Sequence, residues 1–537
     1  MSSWVDITTA AAAPMAIHAS ALANPAASQE AWLLDLVRLN ANTAYGRRYG
    51  FASLRCYADY ARHVPIIRYE DIAADVAALA DGATQLLTAE PVICFEETSG
   101  STAGRKLIPY TRSGLRDFEG AALVWLRQLA EACPAMTSGS AYWSISPAAR
   151  PPARTKSGIP IGFTSDAGYF SPPVGQVLAA LSAVPFEAGR LTDIEPWRFL
   201  TLRSLLASKA LSFISVWSPT FLALLLDAIP ALADDLLAAI HDGRPGCDLP
   251  FAMDLRPDPH RAQEVAQALR SNDIRQVWPK LAVVSAWSHG SAAASFAALR
   301  QRLPGILIDG KGLMATEGVM SISHPTKAFP IPALGFTFVE FVTPDGTGRL
   351  AHELEPDVCY RVVTTTRNGL YRYELGDRVA CRAIDNGVPQ LEFVGRHGIV
   401  SDLVGEKLDG TFVAAALHAA GIDGILVPQG RPRARYLLLV DNEVPLPILA
   451  GLEDSLAANP HYAYARRLGQ LGPIGSRRCD DLMASYQDFR LSQGQRMGDI
   501  KPPALLHDLT DSAALLAFLD SRSKISIRMK PDLRRFA

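Results

Sequence analysis

An α/β protein of more than one domain is predicted by three observations. The chain has 537 residues, well past the size at which a single hydrophobic core keeps growing. Apolar strand-like runs (PVICF, AYWSIS, LSFISVW, LAVVSAW, GILID) alternate with helical apolar spacing at residues 112–131, 219–240, 260–270 and 291–302. That is the rhythm of a layered α/β domain. From about Leu334 the rhythm changes to short strands in succession, GFTFVEFV, CYRVVTTT, LYRYEL, RVACRAI and QLEFVG, separated by turns such as TPDGTG and DNGVP. A small antiparallel sheet or barrel follows from that pattern.

The elements fall in order along the chain. The N-terminal MSSWVDITTAAAAPMAIHASALANPAAS reads as a loose alanine-rich arm, and it has no Lys or Arg before its apolar part and carries Asp6, unlike a secretory signal. EAWLLDLVRL has helical spacing, and VPIIRYEDI reads as the chain entering the body. The apolar run Phe221 to Ile240 is broken by Asp227, Pro230, Asp234 and Asp235, which excludes a membrane span there. After GRHGIVSDLVGEKLDG the α/β style resumes with helix-like TFVAAALHAA, strand-like RYLLLV and helix-like PILAGLEDSLA. A boundary is therefore expected near residues 398–401, giving a large domain 1–398, with its barrel part at about 334–398, and a small domain 399–537. The basic closing segment SRSKISIRMKPDLRRFA reads as a solvated terminal face, and no internal repeat is visible.

Composition narrows the function classes. With 52 Lys plus Arg against 54 Asp plus Glu the net charge is −2, so neither nucleic acid nor an anionic membrane is an expected partner, and any phosphate site must be local. The seven cysteines are scattered without CxxC pairs, which fits a reduced cytoplasm and shows no zinc-type site.

Two segments carry the chemistry. ETSGSTAGRKLIP packs Thr98, Ser99, Gly100, Ser101 and Thr102 just after a strand-like run, with Lys106 close behind. Glycines let backbone N–H groups turn inward, hydroxyls add donors, and the lysine supplies a mobile charge, so the loop can wrap a triphosphate. It lacks the Walker spacing, and alone it could equally be an ordinary turn. In LYRYELGD, Asp377 is expected where a strand meets a turn, able to accept hydrogen bonds from ribose hydroxyls or simply to cap that turn. A third segment, KGLMATEGVMS, places Thr316 beside Glu317; a hydroxyl and a carboxylate in this order could face an α-phosphate and Mg²⁺, or start a helix or turn. Together these are the parts needed to adenylate a carboxylate: a phosphate loop, a cation, a metal ligand and a grip on ribose. His289, in AWSHGS, is a candidate general base or a structural histidine.

The segments TSGSTAGRKLIP, GLMATEG, TTTRNGLYRYELGD and FVGRHGIVSDLVGEKL, in this order and spacing, resemble the Gretchen Hagen three (auxin-responsive) family of acyl-acid amido synthetases. VPIIRYEDI and VWSPTFLALLLD resemble it as well. The resemblance implies the adenylate-forming fold: a large N-terminal domain of two α/β parts and a β-barrel, carrying a small mobile C-terminal α/β domain. It implies ATP and Mg²⁺ as cofactors, and a small carboxylic acid and an amino acid or other amine as substrates. By the same resemblance Thr98 to Thr102 bind phosphates, Thr316 and Glu317 lie near the α-phosphate and metal, and Asp377 holds ribose. Arg396 and Lys407 match basic residues around the hinge, and Lys501, in MGDIKPPAL, matches the lid lysine that neutralises the α-phosphate and carboxylate. The family's Gln before that lysine and Pro-Arg after it are replaced here by Asp499, Ile500 and Pro502-Pro503. Arg127 and Trp217 fall in regions that form the acyl pocket of the family, although each has an ordinary helix-surface or core role as its alternative. Three readings stay open: amide formation, adenylation with a thiol acceptor (coenzyme A or a carrier protein), and a non-catalytic sensor of a small acid or nucleotide. The acid and amine are not legible, the alanine and arginine content suggests a bacterial source, and a monomer with a hinged lid is the simplest expectation.

Overall fold

The computed structural model describes residues 3–98, 106–145, 153–163, 165–271, 273–396, 400–401, 403, 406, 408–430, 434–467 and 471–528. It divides into two compact units, Met1–Val394 with Arg496–Asp499, and Gly395–Gln495 with Ile500–Ala537.

The first unit is built on a four-stranded parallel sheet, ordered Ser140–Trp143, Leu211–Ser215, Val283–Trp287 and Leu307–Lys311. The second of these strands is buried throughout, as its apolar, non-alternating sequence requires of a strand covered on both faces. Helices Ile194–Ala207, Pro219–Asp242, Pro259–Ser271 and Ala293–Arg302 provide the crossovers. Pro219–Asp242 shows how sequence sets the bounds: proline occupies its first turn, and Gly243 closes it in the left-handed conformation at φ 67°.

The antiparallel part pairs in linear order, Gly348–Arg349, Phe338–Val342, Cys359–Thr366, Leu370–Asp385, Val388–Arg396. LYRYEL and RVACRAI, expected as separate strands, are one strand, so Asp377 does not sit at a strand end. Arg361 pairs with Arg378 and Val363 with Glu374, leaving Val362 alone opposite Leu375, Gly376 and Asp377. Gly376, at φ 79°, absorbs this bulge, and the ladder resumes beyond it.

The N-terminal arm is not loose. It forms helices Trp4–Ala10, Ala12–Ala23 and Pro25–Leu39. Alanine is the strongest helix former, and Trp4, Ile7 and Ala11 share a buried face. Trp4 Nε1 donates to the Gly139 carbonyl at 2.8 Å, and the buried His18 Nδ1 donates to that of Leu334 at 2.9 Å. A second anchor lies under the antiparallel sheet. The Arg372 guanidinium donates to both carboxylate oxygens of the fully buried Glu340 and, at 2.7 and 2.9 Å, to the carbonyls of Ala61 and Val64.

The second unit has a three-stranded sheet, with Gly424–Gln429 antiparallel to Arg435–Val440 and Gly475–Arg478 parallel to it. One face packs Val413, Leu417, Leu452 and Tyr462; the other packs Leu482, Phe489 and Leu515. Among the described residues no helix is long and apolar enough to cross a membrane.

Two outcomes are expected. Glu340→Gln leaves the Arg372 charge buried without a counterion and should cost about 3 kcal/mol or more in denaturant unfolding. Burial holds the His18 imidazole below its ordinary 6.5, and its Nε2 has no partner. The unfolded chain therefore binds a proton before the folded one does, and stability drains away as pH falls through about 6.5. His289 and His324 shift the same way, so His18→Asn should reduce the slope of stability against pH without removing it. Melting temperatures across that window check this.

Candidate active site

Two paired strands flank the phosphate-loop candidate in the sequence. Cys94–Thr98 pairs antiparallel with Lys106–Tyr110, and the last rung joins Thr98 to Lys106. Ser99, Gly100, Ser101 and Thr102 lie outside the described residues, as does the side chain of Thr98. Lys106 is held at the loop's base by Glu70, at 3.0 Å, with its ammonium 5.3 Å from the Tyr69 ring centroid. Glu96, in the same hairpin, is a buried carboxylate that the sequence reading did not single out. Burial pushes its carboxyl upward, while the backbone N–H of Phe163 donates to it at 2.8 Å and pulls the other way.

Two further segments meet this hairpin. Met314–Ala315 pairs with Gly318–Val319, so Thr316 and Glu317 form the two-residue tip of a second, smaller hairpin. The Tyr110 hydroxyl donates to the Thr316 carbonyl, tying the two hairpins together, and the Glu317 carboxylate is buried. On the next residue, the Thr111 N–H donates to Asn368 Oδ1 at 2.9 Å and its hydroxyl to the Arg367 carbonyl at 3.0 Å. Arg367 and Asn368 make the turn into the strand that carries the buried Asp377. Tyr110, Asp117, Glu317, Thr366 and Asn368 line a narrow pocket at this junction. Burial raises the Asp117 carboxyl to about 8, against the pull of Arg367, whose Nε lies 3.2 Å from it.

A third group stands at the carboxyl ends of the parallel strands. Trp217 packs against Trp287 with centroids 5.6 Å apart. His289 lies beside Phe329, its Nδ1 2.9 Å from Ser288 Oγ; burial lowers its pKa and Glu392 partly offsets this. Lys311 and Asp309 are both buried here, and the sequence reading missed them. The available signal was a charged pair ending an apolar strand, in GILIDGK, directly before the Thr316-Glu317 segment.

Other expected residues lie elsewhere. Arg127 donates to the Thr8 carbonyl at 3.0 Å and pairs with Glu131, on a face of its helix some 200° from Trp125. Arg396 ends the strand Val388–Arg396, its side chain outside the described residues, and Lys407 lies outside them altogether. Lys501 is exposed within the second unit, just beyond the segment Arg496–Asp499 that groups with the first. Among the described residues no group of three His, Cys, Asp or Glu side chains is arranged to hold a metal ion.

Comparison with known proteins shows the family of the chain. The GH3 family N-terminal domain matches residues 18–308, and the GH3 family central domain matches residues 331–396. The chain belongs to the GH3 family. This is the Gretchen Hagen three family that the motifs resemble. The chain is 26% identical over 480 residues to a probable indole-3-acetic acid-amido synthetase of Oryza sativa subsp. japonica, covering 79% of this chain and 73% of that protein. It is 22% identical to the indole-3-acetic acid-amido synthetase GH3.4 of Arabidopsis thaliana, covering 95% of this chain and 93% of that protein. Its fold matches that of AtGH3.15 acyl acid amido synthetase in complex with 2,4-DB with a TM-score of 0.79 at 17% identity, over 91% of this chain and 93% of the other. A 2-hydroxyisobutyryl-CoA ligase shares the adenylate-forming fold more distantly, with a TM-score of 0.51 at 13% identity, over 91% of this chain and 90% of the other.

Tyr110→Phe removes the donor to the half-buried Thr316 carbonyl. A loss of about 1–2 kcal/mol is expected in chemical denaturation.

Proposed function

We propose that this GH3 family protein is an ATP-dependent acyl-acid amido synthetase. The acid's carboxylate oxygen attacks the α-phosphorus of ATP, the α–β phosphoanhydride bond breaks and pyrophosphate leaves. An amine nitrogen then attacks the acyl carbon, a C–N bond forms, the bond to AMP breaks, and the amine's proton goes to solvent. The observation that carries this reading is the Tyr110 bond to the Thr316 carbonyl, which ties the turn bearing a buried carboxylate, Glu317, to the far end of the strand that follows the Ser/Thr-Gly segment.

The residues fit the groups that this chemistry needs. Thr98 to Thr102 and Lys106 would surround the phosphates, Thr316 would face the α-phosphate, and Asp377 would accept from the ribose hydroxyls. Glu317 offers the hard oxygen that Mg²⁺ takes from protein, and the ion would screen phosphate charge. Arg396, Lys407 and Lys501 would add positive charge from the chain beyond the first unit. A bacterial, cytoplasmic monomer is part of the same proposal, supported by the composition and the seven free thiols.

A thiol acceptor is the second reading, because the shared fold with a coenzyme A ligase leaves the adenylation parts common to both. Acid-dependent exchange of labelled pyrophosphate into ATP, followed by mass spectrometry with mixed amino acids and with coenzyme A, separates them. An amide product is expected; a thioester would move the assignment. Glu317→Ala and Asp377→Ala should each lower exchange by on the order of 100-fold, and full exchange in Asp377→Ala would remove the ribose role.

A further inference from the structure

Glu96 is 2% exposed, yet it lies on the strand that leads into the phosphate-loop candidate. A carboxylate this deep keeps its charge only where donors or a cation face it. The Phe163 N–H donates to it at 2.8 Å, and the neighbouring Gly162 N–H donates to the Phe95 carbonyl at 2.7 Å, so the chain at Gly162 is fastened alongside the Glu96 strand. The Tyr169 hydroxyl also donates to Glu96, and its ring packs on Phe163 with centroids 4.6 Å apart.

The cation comes from far along the chain. Arg496–Asp499 groups with the first unit although the residues on either side of it belong to the second. It is one tight turn, closed by the Asp499 N–H donating to the Arg496 carbonyl at 3.0 Å, with Met497 buried. Arg496 Nη2 stands 3.2 Å from where a Cβ on Gly162 would be, and Gly162 holds a φ of 81°. A side chain at 162 would thus meet the guanidinium as well as a strained backbone. Burial raises the Glu96 carboxyl, the Arg496 charge is the largest influence opposing it, and Asp499 adds a smaller push upward. Both ends of the turn therefore act on Glu96. Arg496 itself is exposed, so the pair joins a buried acid to a solvated cation. Such a contact contributes little to overall stability and is made and broken readily.

Lys501 follows Asp499 by two residues, at most about 7 Å of extended chain, and Thr98 follows Glu96 by the same number. A contact that fixes the turn against Glu96 restricts how far Lys501 can stray from the end of the strand at Thr98. We propose that Arg496 is a positioning residue: docked on Gly162 and facing Glu96, it holds the Arg496–Asp499 turn on the first unit so that Lys501 is presented to the phosphates during adenylation. This rests on the acid-activating function proposed above and on the role given there to Lys501. It assigns a use to Glu96, a buried carboxylate that the phosphate, metal and ribose positions leave out.

The test compares wild type with Arg496→Gln, Arg496→Lys, Glu96→Gln and the double variant Arg496→Gln/Glu96→Gln. Pyrophosphate exchange with ATP, Mg²⁺ and a panel of aryl and aliphatic carboxylic acids reads the first half-reaction. Amide formation from the synthetic acyl adenylate of the acid that exchanges, with mixed amino acids, reads the second. Arg496→Gln should lower kcat for exchange about fivefold, the size of a charge pair with one partner in solvent, while the KM for ATP and amide formation from the adenylate stay put. Arg496→Lys should recover part of the loss, and the double variant should be no slower than Arg496→Gln. Equal losses in both half-reactions, losses that multiply in the double variant, or wild-type exchange in Arg496→Gln would overturn the inference. Arg496 is exposed, so its variants decide the matter even if Glu96→Gln fails to fold. If wild type shows no exchange, or Lys501→Ala exchanges at the wild-type rate, the activation reading or the Lys501 role fails, and hydrogen exchange at the amides of Met497 to Asp499 decides the docking by itself. Exchange that is slow in wild type and about fivefold faster in Arg496→Gln supports it; equal rates in the two overturn it.

Discussion

The joint at Tyr110 and Thr111 is the constraint on which the candidate site depends. Two adjacent residues at the end of one strand reach two different parts of the fold. Tyr110 takes the carbonyl of Thr316, and Thr111 takes the side chain of Asn368 and the carbonyl of Arg367. Thr111 also accepts from the Gly114 N–H and so caps the helix Arg112–Ala132. A buried carboxylate, a helix start and the turn into the strand that carries Asp377 are thereby locked to one point. The contact is tight: a Cβ on Gly114 would lie 1.8 Å from Asn368 Oδ1, which explains the glycine there.

Two buried cations of the first unit have hydrogen-bond partners in place, whereas Arg203 is also buried and its Nε has none. Arg372 and Glu340 hold the antiparallel sheet to the segment around Ala61 and Val64. Lys311 and Asp309 close the carboxyl edge of the parallel sheet. Such pairs add little net stability over apolar packing, but they penalise any arrangement that separates them. Both stand where the geometry of neighbouring segments has to be definite, one under the sheet bearing Asp377 and the other under the tryptophans at the sheet edge.

Family membership and fold divide the functional question unequally. The family match covers residues 18–308 and 331–396, most of the first unit, and the fold extends to a coenzyme A ligase as well as to an acyl acid amido synthetase. Adenylation chemistry is common to these, so the acceptor and the acid must be set by side chains and not by architecture. Those side chains are the ones for which sequence spacing carries least information.

The sequence by itself determined the alternation of strands and helices, the change to short antiparallel strands, and the candidate segments around Thr98, Thr316-Glu317 and Asp377. Each is a local pattern, set by side-chain periodicity or by residue types within a few positions. Only the tertiary structure decided the rest. Asp377 reads as a strand end because Gly376 marks a turn locally; paired with Cys359–Thr366, the same glycine makes a bulge and the strand continues. The alanine-rich N-terminus reads as loose because small residues give a weak amphipathic signal, yet Trp4 and His18 find partners more than a hundred residues away. Lys311 and Asp309 are not singled out by the sequence; the fold brings Ser215, Ser285, Trp125 and Trp217 to them from three other segments. A charge can be buried only when its partners are assembled, and that assembly is a property of the fold.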